Sequence, residues 1–483
     1  MSDNTLKKNL LYQSLYQAIM LIIPLVISPY VTRKLGADAL GIYSFTYSIA
    51  YYFVIVSMLG IIRHGQRAIA EVRGDGIKLR KTFWGIFAFH VLISVVVTVL
   101  YVLFVITSVN ENKLIYLVQG IYVLSAVFDI TWLFYGLEEF RIVIRRNLII
   151  KGLELTLILT LVRTPDDLWK YTIIMSSSVL IGQILLFPTA ISTVPYISIS
   201  KRDIIHHIKP MLVLWISVIA ASMYTVFDKT LIGLLTETSN VAYYEYADKI
   251  VRVPVFLLAT ISTVTYPRMC NLVARNNDID QQKTIFRNSI ILTSFIGFAA
   301  IAILVCSSVE FSMFYYGESF RTCGEIMKYL SIVIILISIG DIIRTQIMIP
   351  RKMDKEFVIC ICINAVINLL LTAILIPKLG VYGAVIGTCC AELSGVVLNM
   401  CICKNKNLIK IRSLVFDIIP FACIAIFVCL VITTFGVRIS VENHSLKFFI
   451  LASSSGLLYL AISFVYITLC QRQLLVLIRK NRS

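Results

Sequence analysis

Long apolar stretches alternate with short polar connectors along almost the whole of this chain. There are fourteen such stretches, each of about twenty residues, which is the length that an α-helix needs to cross the hydrocarbon core of a bilayer. We therefore predict an all-α integral membrane fold with about 14 transmembrane helices. The predicted spans lie near residues 9–32, 40–62, 82–107, 114–136, 142–162, 171–192, 209–235, 241–266, 286–309, 326–349, 356–377, 379–402, 413–436 and 446–470.

The connectors are too short to form a soluble domain, and hydrophobic residues make up 58% of the 483 residues. Nearly all of the mass is therefore expected inside the bilayer. The function should concern molecules that cross the bilayer or lie within it.

The net charge of +17 comes from lysines and arginines that concentrate in alternate connectors. Cytoplasmic connectors of membrane proteins carry this excess, so we predict that both termini are cytoplasmic and that the number of spans is even. Lys7 and Lys8 lead into a full-length span without a cleavage site, so we expect that span to be retained. A basic chain can bind nucleic acid, but charge on connectors at the membrane surface disfavours that interpretation.

A faint internal repeat indicates two lobes. The connector Leu35–Tyr43 follows the first predicted span, and a connector with Leu and Tyr at the same spacing, Leu235–Tyr243, follows the seventh. Transporters are often built from such repeats. We predict an N-lobe of helices 1–6 over residues 1–200 and a pseudo-symmetric C-lobe of helices 7–12 over 201–412. Helices 13 and 14 and a cytoplasmic tail would occupy 413–483.

Four motifs in this order resemble those of Wzx-type polysaccharide flippases, which share a superfamily with multidrug extruders and the lipid II flippase. The motifs are Tyr30-x-x-Arg33-x-Leu35-Gly36 with Leu40-Gly41-x-Tyr43; Gly60 with Arg67-x-x-Ala70 and Arg73; Asp228-Lys229-x-x-x-Gly233 with Val241-x-Tyr243-Tyr244-x-x-Ala247-x-Lys249-Ile250; and Ile376-Pro377-x-x-Gly380-x-x-Gly383-Ala384-x-x-Gly387-Thr388-x-x-x-Glu392. The chain departs from the family at Arg63-His64, where less charge is expected, and at Ala242, where Gly is more usual.

This resemblance implies a V-shaped, two-lobed bundle whose central cavity opens alternately to each side of a bacterial cytoplasmic membrane. The implied substrate is an undecaprenyl-pyrophosphate-linked oligosaccharide, moved from the inner to the outer leaflet. Polysaccharide polymerase and chain-length machinery would be the partner proteins.

Charged side chains inside a membrane are expensive and usually face a cavity, and cations suit the diphosphate of such a lipid. Lys249 and Arg252 lie three residues apart on one face of helix 8, and we expect these two cations to be unpaired and functional. Snorkelling to the interface is the alternative for Arg33, and positive-inside anchoring is the alternative for Arg63 and Arg67. The full set of cationic candidates is Arg33, Arg63, Arg67, Lys229, Lys249 and Arg252.

Polar side chains of helix 1 are candidates for hydrogen bonds to sugar hydroxyls: Tyr12, Gln13 and Gln17. Asp228 is a further polar candidate, with an ion pair inside the bundle as the alternative. No cofactor is expected beyond coupling to H⁺ or Na⁺. The candidate coupling carboxylates are Asp129, Asp341 and Glu392, because a carboxylate in low dielectric can carry a proton. We rank structural pairing above coupling for each of them, with Arg344 as the expected partner of Asp341.

An enzyme is disfavoured, because the chain contains no phosphate-binding glycine loop and no H-E-x-x-H motif. The five histidines are scattered, and His206 and His207 have no evident ligand partners. We therefore predict no catalytic residue and no metal site. The alternatives are a cation-coupled multidrug or metabolite antiporter of the same superfamily, whose cavity should be acidic or aromatic, and a lipid II flippase.

Overall fold

The computed structural model describes residues 3–275, 279–436 and 443–470. For residues 3–18, 21, 216, 217, 220–225, 436 and 470 it describes the backbone alone. All regular secondary structure in these ranges is helical. The predicted all-α class is confirmed.

Seventeen α-helices follow one another in the described ranges. They are α1 Asp3–Met58, α2 Ile61–Val72, α3 Gly76–Ser108, α4 Lys113–Ser125, α5 Thr131–Gly136, α6 Phe140–Leu161, α7 Leu168–Ile184, α8 Phe187–Thr193, α9 Lys201–Leu235, α10 Thr238–Ala274, α11 Ile279–Tyr316, α12 Arg321–Leu330, α13 Val333–Ile343, α14 Asp354–Leu379, α15 Val381–Asn405, α16 Ile411–Gly436 and α17 His444–Cys470. Short 3₁₀ turns occur at Ala126–Phe128, Pro165–Asp167, Glu318–Phe320 and Ile349–Arg351, and Arg344–Met348 forms a π-helix.

Each of the fourteen predicted spans falls on one or more of these helices. Eleven helical segments are long and apolar enough to cross a membrane by themselves within the described residues. The first two predicted spans belong to one element, because α1 continues through a kink at Gly36 (φ 76°, ψ 175°). Helix α6 carries charged residues, and part of α9 is described only by its backbone, so neither is among the eleven. The chain is a multi-pass membrane protein.

The chain divides into two compact units after Ala242. Helix α9 packs against α1, α2 and α3 of the first unit, although we had placed it at the start of the second lobe. The internal repeat predicts two symmetric lobes, 1–200 and 201–412, with 413–483 as an addition. This division stays a prediction.

In the first unit, α2 and α5 approach each other closely around Trp132, which is fully buried. A Cβ atom on Gly65 would lie 2.4 Å from the Trp132 ring, and one on Gly136 would lie 2.6 Å from the Ile69 side chain. Small residues allow this approach in membrane proteins, where packing rather than exclusion of water holds helices together. Ile61, Phe83 and their apolar neighbours complete the core.

In the second unit, α14 and α15 form a tight helical hairpin. Gly380 makes the turn at φ 59° and ψ −141°, a conformation that favours glycine. A Cβ on Gly383 would lie 2.5 Å from the Leu375 backbone, and one on Gly387 would lie 2.4 Å from the Thr372 hydroxyl. The spaced glycines of this motif therefore serve close helix packing.

Candidate functional site

The two basic residues of α10 that we expected to be unpaired each have a carboxylate partner, so that expectation is wrong. Lys249 Nζ lies 2.7 Å from Glu245 Oε1, and Arg252 Nε lies 2.7 Å from Asp248 Oδ2. Both pairs join residues four apart, which are neighbours on a helix surface. A cation in a membrane-spanning helix is costly unless it is paired, and the preceding turn of the same helix supplies the pair.

The cations of these pairs remain more accessible than their carboxylates. The side chains of Lys249 and Arg252 are 36% and 42% exposed, whereas those of Glu245 and Asp248 are 13% and 18% exposed. Lys249 Nζ also lies 4.2 Å from the centre of the Tyr246 ring. The pairs thus present positive charge outward, and a phosphate approaching this face would meet the cations first.

The remaining basic candidates lie at separate places in the first unit. Arg63 and Arg67 are exposed on successive turns of α2, and Arg67 Nε lies 3.4 Å from Glu71. Arg33 is exposed on α1, one turn before the Gly36 kink. Lys229 is partly buried on α9. These four residues belong to the first unit, and the α10 pairs belong to the second.

Asp228 is 4% exposed and lies on α9 beside a chain of hydroxyl groups. Tyr52 Oη lies 3.1 Å from Thr230 Oγ1, which lies 3.1 Å from Ser48 Oγ. Asp228 also interacts electrostatically with Tyr52. This buried carboxylate therefore belongs to a polar seam between α1 and α9.

Three tyrosines of α1 form a stacked row, and of these only Tyr43 belongs to a sequence motif named above. The rings of Tyr43, Tyr47 and Tyr51 follow one another with centroids 6.1 Å apart. Tyr122 of α4 stacks on Tyr47 at 5.0 Å, and Tyr171 of α7 meets Tyr43 edge-on at 4.8 Å. We call these five residues the tyrosine cluster. Its four-residue spacing along α1 is visible in the sequence and could have indicated a shared helix face.

Of the acidic candidates, Asp129 lies where the helical backbone is interrupted between α4 and α5. Its Oδ1 accepts hydrogen bonds from the backbone N–H of Thr131 at 3.0 Å and from the Thr131 hydroxyl at 2.6 Å. The carboxylate thus satisfies donors at the start of α5, as helix-capping residues do. His90, which is 1% exposed, lies near enough to interact electrostatically with it.

Asp341 pairs with Arg344, as predicted, at the point where α13 passes into the π-helix. Gln346, in that π-helix, is fully buried and donates to Thr265 of α10 and Ser289 of α11 at 2.7 and 2.8 Å. π-Helical segments inside α-helices often occur at functional sites. These hydrogen bonds therefore connect such a segment to α10 and α11. Glu392 is partly buried on α15.

The polar candidates Tyr12, Gln13 and Gln17 belong to α1. The structure describes only their backbone, so their side chains lie outside the described part. His207, for which the sequence indicates no metal-ligand partners, lies with its Nδ1 3.0 Å from Nε2 of His64, and this contact joins α9 to α2. Burial, followed by the neighbouring His64 and His206, lowers the pKa of His207 to about 4.

Comparisons with known proteins match the chain over most of its length. A family model described as "Polysaccharide biosynthesis protein" matches residues 6–273, and a model described as "Lipid II flippase MurJ" matches residues 153–455. The chain is 22% identical over 411 residues to a protein of Escherichia coli (strain K12) named "Putative O-antigen transporter", covering 84% of this chain and 98% of that protein. It is 25% identical over 394 residues to a protein of the same name from Shigella dysenteriae, covering 80% and 97%.

Solved structures share the fold. The lipid II flippase MurJ in an inward closed conformation superposes with a TM-score of 0.73 at 17% identity, covering 95% of this chain and 99% of that one. An outward-facing multidrug resistance transporter of the MATE family superposes with a TM-score of 0.51 at 14% identity, covering 84% and 93%. Residues 153–455 match the lipid II flippase model. The first family model matches residues 6–273, which is more than half of this chain, so the chain belongs to the polysaccharide biosynthesis protein family.

Proposed function

We propose that this protein is a flippase that moves undecaprenyl-pyrophosphate-linked oligosaccharide repeat units from the inner to the outer leaflet of a bacterial cytoplasmic membrane. The observation that carries the proposal is its similarity, over 97–98% of their length, to two proteins named "Putative O-antigen transporter". The family match over residues 6–273 agrees with it.

The chemistry of the described residues supports a cargo with an anionic and a sugar part. The accessible cations of α10 suit phosphate oxygens, and Arg forks match them especially well. The tyrosine cluster offers ring faces and hydroxyl groups, and each hydroxyl can both donate and accept a hydrogen bond. An exporter of cationic drugs would need the opposite charge on these faces.

We propose alternating access as the mechanism, with both termini cytoplasmic, as the basic connectors indicate. The protein itself would supply no catalytic group. Asp129, Asp341 and Glu392 stay candidates for coupling to H⁺ or Na⁺, although the contacts of Asp129 and Asp341 favour local structural roles. The polysaccharide polymerase and the chain-length machinery would receive the cargo in the outer leaflet.

Deletion of the gene tests the proposal. The surface polymer and the lipid-linked repeat units of the inner leaflet should be quantified in the same cells. Loss of polymer with accumulation of repeat units is expected, and the wild-type gene should restore both. Unchanged polymer together with greater sensitivity to cationic dyes would overturn the proposal in favour of a drug antiporter.

Lipid II is the second candidate cargo, because the lipid II flippase model matches residues 153–455 and MurJ superposes over 95% of this chain. The discriminating measurement is growth of a strain depleted of its own lipid II flippase. Rescue by this chain, without any effect on surface polymer, would assign lipid II. Failure to rescue in a strain where the chain restores polymer would assign the oligosaccharide lipid.

A further inference from the structure

A cavity of about 470 Å³ lies in the second unit. Its lining comes from the last turns of α10, the first turns of α11 and α16, the residues between α13 and α14, and the residues between α15 and α16. Lys and Arg are frequent in these segments, which indicates that this end of the unit is cytoplasmic. We call this the connector cavity. None of the basic cargo candidates lines it.

Arg351 places a positive charge in the connector cavity. Its Nη2 donates to Gln282 Oε1 at 2.7 Å, and its Nη1 donates to the Ile347 carbonyl at 3.2 Å. The guanidinium is partly buried, and among the described residues no carboxylate lies within ion-pair distance of it. A partly buried cation is stabilised by an anion, so this group favours a negatively charged occupant.

Further cations line the same cavity. Lys410 is exposed, and its side chain makes no hydrogen bond or ion pair within the described ranges. Lys283 is also exposed. It lies 3.4 Å from Asp280, which does not line the cavity. Arg287 holds Asp417, the one acidic lining residue among those described, through both carboxylate oxygens at 2.9–3.1 Å. Because that carboxylate is already engaged, the described lining residues carry a net positive charge.

The rest of the lining is mostly apolar. Met269 of α10, Phe286 and Ile290 of α11 and Leu414 of α16 form much of the wall. Inorganic phosphate would use the cations and leave this wall uncovered. A phosphate ester attached to a hydrocarbon chain would cover both, and binding pockets for small ligands commonly have this volume.

We propose that the connector cavity binds the headgroup of an anionic phospholipid from the cytoplasmic leaflet. Basic pockets between membrane helices on the cytoplasmic side are suited to such headgroups. The lipid phosphate lies between Arg351 and Lys410, and the start of its hydrocarbon chains lies against Phe286 and Leu414. Because the lining joins α10, α11 and α16, an occupied cavity ties these helices together. The inference is independent of the cargo assigned above.

The test is a titration of the purified full-length protein in neutral detergent with dihexanoyl phosphatidylglycerol, followed by native mass spectrometry. Dihexanoyl phosphatidylcholine, which keeps the phosphate and lacks net charge, and inorganic phosphate are titrated in parallel. Saturable binding of phosphatidylglycerol is expected. Lys410→Gln should weaken it about fivefold, since one Lys near an anionic surface contributes ~1 kcal/mol.

Two further variants make the result specific. Ser413→Asp adds a carboxylate to the lining at an exposed position in the first turn of α16 and should weaken binding at least as much as Lys410→Gln. Lys404→Gln is the matched control, because Lys404 is exposed in the same region and does not line the cavity. It should leave the affinity unchanged.

Three results would overturn the proposal. One is equal binding of phosphatidylcholine and phosphatidylglycerol. Another is an affinity for phosphatidylglycerol that Lys410→Gln and Ser413→Asp leave unchanged. The third is binding of inorganic phosphate as tight as that of the lipid and equally sensitive to the variants, which would assign the cavity to a soluble anion.

Discussion

At the scale of single residues, the α10 pairs show how a membrane helix keeps a positive charge. Lys249 and Arg252 each have a carboxylate one turn earlier, at Glu245 and Asp248. The sequence contains this information, because residues four apart are neighbours on a helix. Our prediction considered the cations and overlooked the acids that precede them. The tyrosine cluster was overlooked in a similar way, since stacking of Tyr122 on Tyr47 requires the packing of two helices.

The first prediction separates a cargo role of Lys249 from a structural one. Lys249→Ala should abolish surface polymer while the protein still inserts into the membrane, because the phosphate loses its cation. Arg252→Ala should act in the same direction. The measurements are surface polymer and the amount of the protein in membranes, with Lys404→Ala on α15 as the control.

The double variant Glu245→Ala, Lys249→Ala decides between the two roles. If the lysine only neutralises Glu245, removal of both partners should restore polymer to near the wild-type level. If the lysine binds cargo, the double variant stays inactive. Normal polymer in both Lys249→Ala and Arg252→Ala would contradict the cationic-site hypothesis altogether.

At the scale of elements, the sequence pattern was sufficient to place the helices and was not sufficient to predict the breaks in their backbone. Apolar length placed each predicted span on a helix, yet it gave no sign that α1 continues through Gly36. The interruption at Asp129 and the π-helix at Arg344–Met348 also lie inside apolar stretches. Periodicity reports which residues face a neighbour, whereas these breaks depend on single backbone torsions that tertiary packing selects.

The second prediction concerns the kink at Gly36. A Cβ there would meet no atom within 4 Å, so Gly36→Ala introduces backbone strain alone, at φ 76°. We expect a loss of about 1–3 kcal/mol in stability, measured as a lower melting temperature of the purified protein. Gly152→Ala is the control, since its Cβ also meets open space and its φ is ordinary for a helix. That variant should be neutral or slightly stabilising. Equal melting temperatures for the two variants would refute the strain argument.

The third prediction concerns the joint between α2 and α9. The pKa of His207 is lowered to about 4 in the folded state, against an ordinary value of 6.5. Because the unfolded chain binds more protons between these values, stability should fall as the pH is lowered from 6.5 towards 4. His207→Gln should reduce this dependence, and His206→Gln should retain most of it. Melting temperatures at pH 7 and pH 5 provide the test, and identical pH dependence in wild type and His207→Gln would contradict it.

At the scale of the whole molecule, the distribution of charge and apolar length was enough to predict the class of protein. Confirmation came from the family match and from superposition on MurJ over 95% of the chain. The compact units divide after Ala242, and α9 packs against α1, α2 and α3. The lobes predicted from the repeat stay a prediction. A repeat in the connectors records the order of the helices and carries no information about those contacts.

The fourth prediction tests the orientation in the membrane. Fusion of an alkaline phosphatase reporter after Asn112, in the connector between α3 and α4, should give high activity, because that connector is predicted to be outside. Fusion after Asn407, between α15 and α16, should give low activity. The reverse pattern would contradict the positive-inside assignment and would place the connector cavity on the external face.

The π-helix at Arg344–Met348 is equivalent to one residue added to an α-helix. Each α-helical residue turns the chain by about 100°, so the extra residue sets the direction of every side chain that follows it. Deletion of a single residue in this segment would rotate Arg351 away from Gln282 and would also withdraw Gln346 from Thr265 and Ser289. Insertions and deletions here are therefore expected to be far more harmful than substitutions, so this segment should keep a constant length even where its side chains vary.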